Sequence, residues 1–357
     1  MMNLYKTVSI NTVAPKQAQT SVLMIYTGGT LGMAYDKLHQ LVPFDFEQIL
    51  EKVPELHQFD CKITVIAFEH PLDSANVNPV HWLELAAIIE ENYDEYDGFV
   101  ILHGTDTMAF SASALSFLLE NLSKPVVFTG AQLPVGAIRT DARVNLITAL
   151  EIASATAING KCIVPEVSIF FNDELLRGNR SKKVETARFD AFQSDNYPYL
   201  AKVGVNLDFN TRFFLPLKPE KKLSVQKNLC KDVAILKLFP GISDSLIKNI
   251  IDTPNLKGLV IETFGSGNAP TNKWFTDLLR YAIEKDITIL NISQCSGGKV
   301  VLGKYATSRH MLELGILSGA DMTSEAAITK MMYVLGKNLS KSETADLLTI
   351  SLRGEMM

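Results

Sequence analysis

The sequence predicts an α/β protein of two Rossmann-like domains, a larger N-terminal one with a mainly parallel sheet and a smaller C-terminal one. Three observations predict it. Short apolar, β-branched runs alternate with segments of helical period over most of the length. The run "GFVIL" (98–102) has no polar face, as a strand covered on both sides of a parallel sheet requires. The alternation lapses once, between about Ala201 and Lys231, before a second series begins, and 357 residues are enough for two separate cores.

Residues 1–20 are polar, carry Pro15, and are expected to form a flexible arm. "SVLMIYT" (21–27) reads as the first strand and "KITVIAFE" (62–69) as another. In "NPVHWLELAAIIEENY", Asn78 is a candidate cap and Pro79 fits the first helical position; Trp82, Leu85, Ala86 and Ile89 then share one face. After "GFVILHG", the stretch "MAFSASALSFLLENL" places Leu115, Leu118, Leu119 and Leu122 on one side of a helix. "KPVVFTG" and "RTDARVNLITALEIA" repeat the strand–helix unit. The proposed boundaries are an N-terminal domain over 21–212, a linker over 213–231 and a C-terminal domain over 232–357. The second series holds the strands "DVAILKLFPG", "KGLVIETFGSG" and "DITILNISQC", and ends in two helices.

Composition excludes some classes. A net charge of −5 argues against nucleic acid or an anionic membrane as the main partner, because either favours a basic surface. No run approaches the roughly 20 apolar residues of a membrane span, and the first residues lack the apolar segment of a signal peptide. Cys61, Cys162, Cys230 and Cys295 stand far apart, with no metal-type spacing. They read as reduced thiols of a cytoplasmic protein, and no metal site is expected.

Four polar clusters fall where strands end, which is where open α/β sheets bind ligands. They are "TGGT" (27–30), "PLDSAN" (71–76), "HGTDTM" (103–108) and "RGNRSKK" (177–183). Each has an ordinary reading. "TGGT" lacks the lysine of a phosphate loop and the spacing of a dinucleotide fingerprint, so a plain turn explains it. Thr105 or Asp106 suits the N-cap of the helix that follows. "LDSAN" reads as a turn and "RGNRSKK" as a solvated basic loop. His103 is better read as a packed, hydrogen-bonded residue than as a base. Taken together, two threonines, a lysine and an aspartate at strand ends are the parts for nucleophilic acyl transfer. A threonine hydroxyl needs a partner to remove its proton, and a lysine oriented by a carboxylate serves. Amide hydrogens at the start of the helix after "HGTD" would stabilise an oxyanion.

"YTGGTLGM", "DGFVILHGTDTMAFSASALSFLLENLSKPVVFTGAQLP" and "RGNRSKKVETARFDAF" resemble the cytoplasmic (type I) L-asparaginases of bacteria and mammals. The likeness continues through "LFPGIS", "ETFGSGNAP" and "GADMTSEAAITK", from about residue 21 to the C-terminus. The resemblance implies hydrolysis of L-asparagine to L-aspartate and ammonia without a cofactor, with at most a low side activity on glutamine. It implies Thr30 as nucleophile and Thr105, Lys183 and Asp106 as the group that completes catalysis. Asp106 and Thr105 would also hold substrate, Asp106 at the α-ammonium. Ser74 with Asp73 would hold the α-carboxylate. Asn268 matches the residue family members lend to a neighbouring subunit's site, so self-association as a dimer or a dimer of dimers is implied.

The chain departs from the family pattern in three places. Leu41 stands where bacterial relatives often carry a loop tyrosine, with Tyr35 the nearest aromatic hydroxyl upstream. Ala75 and Asn76 replace a common "SD". Glu262 replaces an arginine used by some bacterial members in an asparagine effector site, so no such response is expected. An asparaginase-like amidase subunit feeding ammonia to a tRNA amidotransferase is the enzymatic alternative, for which residues 1–20 are too short to be the extra N-terminal domain. A non-catalytic amino-acid sensor would keep Ser74 and Asp106 and need neither Thr30 nor Lys183.

Overall fold

A computed structural model of the chain describes residues 5–10, 20–35, 41–43, 49–157, 160, 162–217, 220–303 and 306–357. The chain divides into two compact units, Met1–Val225 and Gln226–Met357.

Among the described residues of the first unit, nine strands form one sheet. They are β1 (Tyr5–Ile10), β2 (Ser21–Gly28), β3 (Lys62–Leu72), β4 (Gly98–Leu102), β5 (Val126–Thr129), β6 (Val167–Phe171), β7 (Glu174–Arg177), β8 (Ala201–Val203) and β9 (Leu207–Phe209). Their order is β1-β3-β2-β4-β5-β6-β7-β8-β9. The five from β3 to β6 run parallel, while β1 and the last three strands are antiparallel additions at the two edges. Every residue of β4, β5 and β6 is buried, which is what their continuous apolar character anticipates.

The helices α1 (Pro79–Glu91), α2 (Met108–Leu118) and α3 (Ala142–Ser154) carry the crossovers. Asn78 caps α1 as expected, its Oδ1 accepting from the Val80 N–H at 3.0 Å. Helix α2 stops at Leu118, short of the expected Leu122, because Leu119–Glu120 pairs as a strand with Ser224–Val225. That pairing also gives structure to the segment read as a linker. Within the segment read as a loose arm, Tyr5–Ile10 pairs in register along β3, with Tyr5 opposite Phe68 and Ile10 opposite Ile63. The β-branched alternation of "YKTVSI" is enough for an edge strand once a partner exists, although it is too short to signal alone.

The second unit holds a parallel sheet of β10 (Val233–Lys237), β11 (Gly258–Thr263), β12 (Thr288–Ser293) and β13 (Leu317–Ser318), in that order. Helices α4 (Asp244–Ile251) and α5 (Lys273–Glu284) bury Ile247, Ile251, Phe275 and Leu279 in its core. Helices α6 (Ser324–Leu335) and α7 (Lys341–Thr349) follow, as the tail predicts. Lys330 of α6 is fully buried and forms an ion pair of 2.6 Å with the equally buried Glu355. Its Nζ also donates to the carbonyls of Leu348 (3.1 Å) and Ile350 (2.6 Å). The Glu355 carboxylate accepts from the Leu352 and Arg353 amides.

Among the described residues no helix is long and apolar enough to cross a membrane, and no group of three or more His, Cys, Asp or Glu is placed to hold a metal ion.

Candidate active site

Three strand ends meet because three glycines leave room for them. Strand β2 finishes at Gly28, and Gly29 follows with φ at 90°, a left-handed value that glycine adopts freely. A Cβ on Gly28 would lie 2.2 Å from the Leu72 carbonyl oxygen at the end of β3. A Cβ on Gly29 would lie 2.6 Å from Gly104 Cα, and one on Gly104 would lie 2.6 Å from both Cβ and Oγ of Ser74. The turns after β2, β3 and β4 are therefore closely stacked, backbone on backbone at Gly28 against Leu72 and Gly29 against Gly104, and backbone on side chain at Gly104 against Ser74. The glycines that sequence alone reads as a bend are the means of that stacking.

On this platform Thr30 opens a single 3-10 turn, Thr30–Gly32, closed by the Gly32 N–H donating to the Gly29 carbonyl at 3.2 Å. From below, the hydroxyl of buried Tyr26 donates to the Gly32 carbonyl at 3.2 Å. Burial raises the Tyr26 pKa far above its ordinary range, so it stays a protonated donor. Tyr35 and Leu41 are backbone partners in the register of a short antiparallel pair, Met33–Tyr35 with Leu41–Pro43. Residues 36–40 of the loop between them lie outside the described residues.

After β3, Asp73 caps the turn Ser74–Asn76, its Oδ1 accepting from the Ala75 N–H at 3.0 Å. Ser74 is 4% exposed and wedged against Gly104. Its carbonyl accepts from the Thr107 hydroxyl at 2.7 Å. That bond settles the ordinary reading of "HGTD". The residue at the N-cap of α2 is Thr107, without a side-chain bond to the helix amides, so neither Thr105 nor Asp106 is spent on capping.

Instead Thr105 and Asp106 meet Lys183. After β7 the chain makes a 3-10 turn at Gly178–Arg180 and then a two-residue strand, Lys182–Lys183, with Lys183 opposite Phe192. Lys183 Nζ donates to Thr105 Oγ1 at 2.7 Å and to Asp106 Oδ1 at 2.7 Å. The ammonium side chain is 14% exposed, the carboxylate 65%. The lysine is thus shielded, while one carboxylate presents free surface to a small cation. Behind it, Arg177 and Glu166, both nearly buried, form an ion pair at 2.5 Å that anchors the end of β7.

The structure therefore brings Thr105, Asp106 and Lys183 into hydrogen-bond contact, with Ser74 and the Thr30 turn packed beside them through Gly104 and Gly29. Asp73 is turned back into its own turn. Asn268 lies in the second unit, where its backbone exchanges bonds with Phe264 at 2.8 and 3.0 Å. Glu262 is the last residue but one of β11 and accepts from the Ser324 hydroxyl, with Lys237 at 3.9 Å.

His103, next to this cluster, is packed as expected. It is 2% exposed, and burial pulls its pKa down to about 4.

Residues 21–214 match the family model "Asparaginase, N-terminal", and residues 232–348 match "Glutaminase/Asparaginase C-terminal domain". L-asparaginase 1 of Escherichia coli (strain K12) is 39% identical over 340 residues, covering 94% of this chain and 98% of that one. The 60 kDa lysophospholipase of Mus musculus is 41% identical over 358 residues, covering 94% of this chain and 62% of that longer protein. The crystal structure of L-asparaginase I from Vibrio cholerae superposes with a TM-score of 0.86 at 38% identity, covering 95% of this chain and 99% of that one.

Proposed function

The chain belongs to the asparaginase family, and on that premise we propose that it hydrolyses L-asparagine to L-aspartate and ammonia through a threonine ester. One observation carries the reading: Lys183 Nζ stands 2.7 Å from both Thr105 Oγ1 and Asp106 Oδ1. A hydroxyl, an amine and a carboxylate in one chain of hydrogen bonds form a proton-transfer unit.

In this reading Thr30 Oγ1 attacks the side-chain amide carbon. Its proton passes through the Thr105–Lys183–Asp106 group to the leaving nitrogen, the C–N bond breaks, and ammonia departs. The aspartyl ester on Thr30 is then attacked by water, whose proton returns to Thr30 as aspartate is released. Backbone amides near Thr30 and Thr105 hold the developing oxyanion. Asp106, with most of its carboxylate exposed, accepts the substrate α-ammonium, and Ser74, on the turn that Asp73 caps, holds the α-carboxylate. Glutamine is one methylene longer, and a misplacement of about 1 Å costs on the order of a hundredfold in rate. Asn268 is assigned to the site of a neighbouring copy, which makes self-association part of the activity. The setting is cytoplasmic.

The test is ammonia and aspartate release from L-asparagine by the purified chain, with L-glutamine in parallel. Thr30→Ala and Thr105→Ala are each expected to abolish turnover while the melting temperature stays near wild type. A mass increment of one aspartyl group on the peptide carrying Thr30, trapped at low pH, identifies the ester. Full turnover in either variant removes that hydroxyl from the mechanism.

A further inference from the structure

We propose that Trp82, Ser111 and His103 form a buried relay that positions the Thr105 amide for the reaction, resting on the reading above that Thr105 belongs to the active site. Trp82 of α1 donates from Nε1 to Ser111 Oγ of α2 at 2.9 Å. Ser111 Oγ lies 2.9 Å from His103 Nε2, and His103 Nδ1 lies 2.7 Å from the Gly104 carbonyl oxygen. All three side chains are buried.

The chemistry at the two ends gives the relay its direction. An indole N–H only donates and a carbonyl oxygen only accepts. Ser111 accepts from Trp82 and passes its own proton toward Nε2. A neutral imidazole then carries its single proton on Nδ1, facing Gly104. The depressed His103 pKa agrees with a ring held neutral.

The consequence for the site follows from peptide planarity. The Gly104 carbonyl and the Thr105 N–H belong to one rigid plane and point in opposite directions. A clamp on the oxygen therefore aims the N–H. The turn at Thr105–Asp106 closes back on Gly104, but among the described residues no backbone amide donates to the Gly104 carbonyl with good geometry, and no backbone carbonyl accepts from Thr105 N–H. Gly104 is excluded from carrying a side chain by Ser74, yet glycine is the residue whose flanking peptides turn most freely. The relay supplies the restraint that this glycine gives up. His103 is itself fixed, its N–H donating to the Thr129 carbonyl at 2.9 Å. His103 is in this account a positioning residue, acting through Gly104.

The experiment uses the full chain with L-asparagine and compares His103→Asn with His103→Leu. Asparagine keeps an N–H near the place of Nδ1, and leucine does not. His103→Leu is expected to lose about a hundredfold in kcat with KM changed less than about threefold, because an amide aimed at the oxyanion acts on the transition state. His103→Asn is expected to recover at least about tenfold of that loss. Trp82→Phe keeps an aromatic side chain but removes the indole N–H along with part of the ring, and is expected to lower kcat by about fivefold, with a thermal melt reading the lost packing separately. Nitrogen-15 spectra of wild type at pH 7 are expected to show one histidine protonated on Nδ1 alone, absent from His103→Asn. Equal losses in the two His103 variants, or a ring protonated on Nε2, overturn the relay. A wild-type chain that releases no ammonia from asparagine overturns the substrate reading, and the ring-nitrogen spectrum then still decides the relay.

Discussion

Replacing Gly104 by alanine adds one methyl group at the point where the three turns meet. The new Cβ would sit 2.6 Å from Ser74 Cβ and Oγ, against an ordinary contact of at least 3.4 Å, so something must move by about 0.8 Å. Ser74 has no room to withdraw. Its carbonyl is held by the Thr107 hydroxyl at 2.7 Å, and its turn is closed by Asp73 on the Ala75 amide at 3.0 Å. Retreat of Gly104 itself is limited by the backbone of Gly29, packed so closely that a Cβ there would lie 2.6 Å from Gly104 Cα. The displacement therefore falls on Thr105 or Ser74, or is shared between them. A shift near 1 Å in a reacting constellation costs on the order of a hundredfold in rate, and that is the loss in kcat expected. Overpacking of this kind costs about 1–3 kcal/mol in stability, which leaves the protein folded at 25 °C. Ammonia release from L-asparagine, measured beside a thermal melt, separates the two effects. Gly136→Ala is the control, since nothing lies within 4 Å of its added Cβ, and it should match wild type in both. A Gly104→Ala enzyme within about threefold of wild-type kcat would refute the claim that close backbone packing sets the site.

Other outcomes follow from the same geometry. His103 is neutral when folded down to about pH 4, whereas its unfolded value is 6.5, so the unfolded chain gains a proton first as pH falls. Its contribution is complete above pH 6.5 and is lost between 6.5 and 4; the stability gap between wild type and His103→Asn should shrink by about 3 kcal/mol across that window in urea titrations. Lys330→Met strands the buried Glu355 carboxylate and is expected to cost about 3–5 kcal/mol, with most of it restored by adding Glu355→Leu; a single-variant loss below about 1 kcal/mol would contradict the buried pairing. Glu166→Gln leaves the buried Arg177 guanidinium without its counter-charge, and a urea midpoint equal to wild type would show that this anchor of β7 contributes nothing.

Much of the fold was legible because periodicity reports burial. "GFVIL" and "VSIFF" could not be amphipathic, and both lie in the doubly covered part of the sheet. Asn78-Pro79 marked a helix start for local reasons that tertiary structure did not override. What escaped depended on distant partners. "YKTVSI" becomes a strand only beside β3, and Leu119 leaves its helix only because Val225 is there to pair with it. At the candidate site the residue types were readable and their roles were not separable. Thr105 or Asp106 as a cap is a sound local inference, displaced by a Thr107 hydroxyl that bonds Ser74 from 33 residues away. Contact between Lys183 and Thr105 spans 78 positions, and no spacing rule reaches that far. Trp82, Ser111 and His103 gave no signal beyond polar groups set in apolar runs.

The antiparallel strand at Tyr5–Ile10 covers the outer hydrogen-bonding row of β3 and becomes the edge of the large sheet in its place. Without it, "KITVIAFE" would offer a bare row of amides and carbonyls on a strongly β-forming segment, an invitation for two molecules to zip together. Trimming the leading residues back to Ser21 would leave every proposed catalytic group in place. The preparation would nonetheless be prone to clumping, and its colloidal behaviour would report on a strand that takes no part in chemistry.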